Sequence, residues 1–239
     1  MTISEKLTQV AENQQKIYDA GKQSEYDAFW DEFQSAKNGI SAKYSGSYMF
    51  ANAGWNDNTF KPKYSMMYLN NAGSMFQTCG VTDLSAALER QGVVFNFSGC
   101  ANFTAAFAYA KLTRVPIINT LGTTAESPFN SMFNTSDKLH TIDKLILKSD
   151  GSQRFSSTFG NCTALENIVI EGAIGQNGLN LQWSTLLSHD SLMSIINALQ
   201  DKSADTSGTS WIVTLGATNL AKLTDSEKSD ARKKGWQLL

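Results

Sequence analysis

Three cysteines, three prolines and two histidines are scattered through 239 residues, and only 18% of the chain is charged. Cys79, Cys100 and Cys162 are too few and too far apart for a disulfide framework, although their count alone leaves room for one bridge; they read as buried thiols. The two histidines stand 49 residues apart and the cysteines 21 and 62, spacings that match no zinc pattern, and no cofactor is expected. Lys and Arg total 20 against 22 Asp and Glu, without a basic stripe, so nucleic acid is not an expected partner. No run approaches the roughly 20 apolar residues of a membrane span, and Met1-Thr2-Ile3-Ser4-Glu5-Lys6 lacks the apolar stretch of a signal peptide. Synthesis in a cytoplasm, without membrane insertion, is therefore expected. What is present is 41% apolar and 10% aromatic residues among many Ser, Thr, Asn, Gln and Gly, which excludes a disordered tail and a long coiled coil.

The pattern changes along the chain. Ile3, Leu7, Val10 and Ile17 make a short heptad seam, and Tyr26, Phe29, Trp30 and Phe33 make the stripe of an amphipathic helix. Residues 1–40 are thus expected to be helical, serving oligomerisation or attachment. From Ser47 the chain repeats itself around Phe50, Phe76, Phe107, Phe133 and Phe159, which stand 26, 31, 26 and 26 residues apart. A small residue follows each three positions later: Ala53, Cys79, Ala110, Ser136 and Cys162. Short alternating strands are expected at 64–68, 93–97, 115–118, 145–147 and 168–170, with a helical stretch at 82–90 and Pro116 marking a strand start or edge. Further on, Ser188 caps a helix, 211–215 reads as a strand, and Thr224-Asp225-Ser226-Glu227 is a capping box whose helix stops at Gly235.

The fold this predicts is a repeat solenoid, a leucine-rich-repeat-like stack of short parallel strands with irregular or helical connections. Amino-terminal helices (1–40) precede the solenoid (41–182), and a small α/β carboxy-terminal cap (183–239) closes it. The units Met132-Phe133-Asn134-Thr135-Ser136 and Thr158-Phe159-Gly160-Asn161-Cys162-Thr163-Ala164-Leu165 resemble BspA-like leucine-rich repeats. The opening helices and Gly235-Trp236 are similar to such proteins encoded in prophages of gut Firmicutes. The resemblance implies a non-enzymatic, virion-associated phage protein, at the tail or receptor-binding. Its expected partners are phage structural proteins and a host surface glycan or protein, and it would form a homo-oligomer through its helices, with a trimer favoured. It implies no catalytic residues.

The residues themselves offer little chemistry. His189-Asp190-Ser191 holds three triad residue types, but neighbours on a helix do not face one another, so helix capping is the reading. Gly21-Lys22-Gln23-Ser24 lacks the earlier glycine and preceding strand of a phosphate-binding loop. If Leu145 and Leu147 point inward, Lys144 and Lys148 point outward; the next strand then exposes Asn167 and Glu171, and pairing Leu147 with Ile170 sets Lys148 beside Glu171. Asn180 and Gln182 would extend this polar ladder across a third strand. Trp55 and Asn56, in an aromatic and amide-rich turn, form a second candidate surface able to stack on a sugar and bond its hydroxyls. Two other readings remain: a cytoplasmic protein-binding module, and a cell-wall hydrolase, for which no paired acids are found.

Overall fold

Five phenylalanines organise the interior. The rings of Phe50, Phe76, Phe107, Phe133 and Phe159 lie in one file with centroids 4.8, 5.5, 5.3 and 5.6 Å apart, the first pair tilted by 26° and the others within 14° of parallel. None of the five is more than 1% exposed. In this computed structural model the described residues are 12–13, 47–48, 50–52, 66–90, 92, 94–124 and 127–239. The chain divides into two compact units, Met1–Ser41 and Ala42–Leu239. The expected amino-terminal helices and the Trp55–Asn56 turn lie outside the described residues.

Each phenylalanine sits at the centre of a tight turn. The residues two before and two after it all have φ between 50 and 59°: Tyr48 and Asn52, Ser74 and Thr78, Ala105 and Tyr109, Ser131 and Thr135, Ser157 and Asn161. A left-handed backbone costs an ordinary residue roughly 1–2 kcal/mol, so something must hold ten of them. Hydrogen bonds from turn to turn do so: the Phe50, Phe76, Phe107 and Phe133 N–H groups donate to the carbonyls of Met75, Ala106, Met132 and Thr158 at 2.7 to 2.9 Å. The flanking left-handed residues make two further columns of the same kind, such as Ser131 N–H to Ser156 and Thr135 N–H to Gly160. The small position then tightens the joint, since the Ser136 hydroxyl donates to the Phe107 carbonyl at 2.6 Å and the Cys162 thiol to that of Phe133 at 3.1 Å. All three cysteines are buried. Burial pushes the Cys162 thiol up to about 12 and that of Cys100 to about 11, which makes both poor nucleophiles.

The regular elements run β1 (Met66–Tyr68), α1 (Leu84–Arg90), β2 (Val94–Asn96), β3 (Arg114–Val115), β4 (Ile118–Asn119), β5 (Thr141–Ile146), β6 (Asn167–Glu171), α2 (His189–Ala198), β7 (Trp211–Val213), α3 (Ala217–Leu220), α4 (Asp225–Lys233) and β8 (Trp236–Leu238). Every strand pairing is parallel: β1 with β2, β3 and β4 with β5, β5 with β6, and β7 with β8. Pro116 has no N–H to give a ladder, and the strand expected across it is accordingly split into β3 and β4, both paired to β5. Leu145, Leu147, Ile168 and Ile170 are buried and Val169 is exposed, the alternation the sequence predicts.

The leucine-rich-repeat solenoid is corrected here. Such a solenoid needs one strand per repeat joined into a continuous curved sheet, whereas among the described residues the strands fall into separate sheets of two, four and two, none curved or closed. The periodic part of the sequence is expressed as stacked turns within one mixed α/β domain with its own strand pairings. The likeness to BspA-like repeats therefore ends at the phenylalanine and the small residue.

Candidate functional site

The exposed face of the four-stranded sheet carries the first candidate residues. The register is Thr141 with Asn167, Ile142 with Ile168, then, after a bulge, Leu145 with Ile170 and Ile146 with Glu171. Lys144 Nζ reaches Glu171 Oε2 at 2.9 Å, so the expected Lys148–Glu171 neighbours are replaced by Lys144–Glu171. Lys148 instead serves the fold: its amine donates to the Thr123 carbonyl and its backbone N–H to Gln153 Oε1 at 2.8 Å. Asn167 is exposed at the start of β6. Asn180 and Gln182 are exposed too, but Asn180 bridges to Thr214 beside β7. They do not continue the β6 ladder, because α2 occupies that edge. The Ser191 and Ser194 hydroxyls accept the Ile168 and Ile170 N–H groups at 3.0 and 2.8 Å, sealing β6 with side chains where a strand would have paired.

Asp143, Glu166, Glu227 and both histidines tie separate segments together. Asp143 receives Arg114 Nε at 2.7 Å and the Ser85 hydroxyl at 2.8 Å, joining β5, β3 and α1 and holding the Arg114 guanidinium above its ordinary pKa. His140 Nδ1 lies 3.3 Å from Glu166. His189 Nε2 meets Glu227 Oε1 at 2.9 Å, across from α2 to α4, while the Ser191 N–H bonds the Ser188 cap, so the His-Asp-Ser run forms no relay.

A cavity of about 370 Å³ opens between α3, α4 and β8, lined by Leu220, Lys228, Arg232, Gln237 and Leu238. Its construction is local. Thr224 and Glu227 close a complete capping box that starts α4, and Lys228 and Arg232, four residues apart, then share one helix face. Gly235, at φ 82°, ends the helix and turns the chain into β8. A Cβ there would stand 2.9 Å from the Lys202 carbonyl carbon, so the close approach also requires glycine. The Lys228 side chain is only 25% exposed, and among the described residues its amine pairs with Asp225 alone, at 3.9 Å. Among the described residues Arg232 makes no ion pair, and no acid lines the cavity. Two cations and an amide above the half-buried Leu220 and Leu238 suit a carboxylate or phosphate. In the sequence this stretch reads only as a closing cap, and the cavity is not apparent. The signal was there in Lys228-x-x-x-Arg232 following a capping box.

No family model, curated protein or solved structure matches the chain. The expected phage-tail role depends on the leucine-rich-repeat resemblance and a solenoid binding surface; the Ala42–Leu239 unit is instead one mixed α/β domain whose described strands form no such surface, which overturns it. The solenoid and the prophage adhesin fall for the same reason.

Proposed function

We propose that the Ala42–Leu239 unit is a non-catalytic binding domain that takes an anionic group into the cleft between α3, α4 and β8. The observation that carries this is the meeting of Lys228 and Arg232, one weakly paired and one without an ion pair, in a single cavity that no acid enters. The commitment of Asp143, Glu227 and both histidines to ties between elements supports the non-catalytic part of the reading. Titration calorimetry with inorganic phosphate and with succinate tests it. Saturable binding that weakens at least about tenfold in Lys228→Gln and in Arg232→Gln, and weakens with added salt, is expected. Binding that survives both substitutions places the anion elsewhere.

A further inference from the structure

We infer that the anion in this cleft is carried by an extended acidic polypeptide segment, which adds as a strand to the open edge of β8; the inference rests on the anionic reading of the cleft. Parallel pairing fixes which way each residue of β8 faces. Leu239 donates to the Val213 carbonyl and accepts from the Leu215 N–H, so Leu239 and Gln237 face β7. The N–H and C=O of Leu238 consequently point the other way. No partner meets them among the described residues, in contrast to β6, where Ser191 and Ser194 cover the equivalent groups. Leu238 also lines the cavity, so the free backbone groups and the two cations belong to one surface.

The chemistry of the occupant follows from spacing. Side chains at i and i+4 of a helix lie about 5–6 Å apart, and those at i and i+2 of a strand about 6.6 Å apart on one face. Acids at alternate positions of an added strand therefore match Lys228 and Arg232 in turn. The main chain of that strand and the methylene groups of its acids cover Leu220 and Leu238, half-buried groups that a free phosphate would leave uncovered. Strand addition supplies the backbone hydrogen bonds, and the charges set which segment is taken.

The test uses the full chain and an acetylated, amidated Val-Glu-Val-Glu-Val-Glu-Val peptide, followed by amide hydrogen exchange and calorimetry. Exchange at Leu238 is expected to slow about tenfold or more, while Gln237, already bonded to β7, stays as it was. A glutamine version of the peptide and Arg232→Glu should each weaken binding at least about tenfold, and phosphate should compete. Leu238→Pro, which removes the outward N–H together with the leucine side chain and touches neither cation, should lose the peptide and keep phosphate, whereas Leu238→Ala, which keeps the N–H, should retain slowed exchange at that position when the peptide binds. Phosphate binding without peptide binding, or peptide binding without slowed exchange at Leu238, overturns strand addition and leaves the anion cleft standing. Failure of both ligands overturns both. Slow exchange at Leu238 in the free chain together with a doubled mass makes the occupant a second copy and overturns the acidic segment.

Discussion

A phenylalanine at the middle of the file is held by two rings, two turns and one hydrogen-bond column at once. Phe133 stacks on Phe107 at 5.3 Å and on Phe159 at 5.6 Å. Phe133→Ala should therefore cost about 3–5 kcal/mol in denaturant unfolding, with the loss felt in both neighbouring turns, whereas a cost below about 1 kcal/mol would show that the file does not hold the core. Gly172 is a second test at this scale: it has φ 97°, and a Cβ would stand 2.2 Å from the Leu147 carbonyl oxygen. Gly172→Ala should destabilise by about 1–3 kcal/mol through backbone strain. The five phenylalanines and their small partners were legible in the sequence because both features recur at fixed spacing. Eight of the ten left-handed residues were not, since Tyr, Ser, Thr and Ala carry no local signature for that conformation, and only the turn above and the turn below enforce it; Asn52 and Asn161 alone are of a type that favours it.

Among the elements, the caps were the most legible and the strand registers the least. Ser188 and the Thr224–Glu227 box are local chemistry, readable within four residues, and both are formed. The Ile142–Leu145 bulge, which brings Lys144 to Glu171, depends on what β6 and its neighbours demand and leaves no mark in β5 itself. Thr224→Ala should cost about 1 kcal/mol by thermal or denaturant unfolding, the usual loss of an N-cap. The Glu227 carboxylate is held below its ordinary 4.5, chiefly by the Thr224 backbone N–H, with the Thr224 hydroxyl and His189 adding to it. A depressed carboxylate contributes stability that is complete above its unfolded value and is lost as pH falls through the lower folded value. Unfolding measured downward from pH 6 should therefore show less acid sensitivity in Glu227→Gln than in the parent. An unchanged slope would mean that the capping carboxylate is not part of the acid response.

At the scale of the molecule, a sequence repeat is a statement about repeated local contacts and not about how strands are shared among sheets. The turns obey the period, yet Pro116, the bulge in β5 and the helix laid along β6 each interrupt the sheet that a solenoid would have carried. The seam of Ile3, Leu7, Val10 and Ile17 lies outside the described residues, and the homo-oligomer it suggests stays a proposal: light scattering of the full chain against residues 42–239 should show a higher mass for the full chain only. One further property belongs to the stack of turns as a whole. The peptide that accepts from one turn through its oxygen donates to the next through its nitrogen, as in Phe50 to Met75, Phe76 to Ala106, Phe107 to Met132 and Phe133 to Thr158, and the columns through Tyr48 and Asn52 run the same way. Three files of aligned peptide dipoles thus act together as a macrodipole built without a helix, with its positive pole at Ser157, Phe159 and Asn161. Asn161 is exposed at that pole, so a negative side chain there is favoured over a positive one: Asn161→Asp should exceed Asn161→Lys in stability by about 0.3–1 kcal/mol at low ionic strength, and the gap should close in 1 M salt.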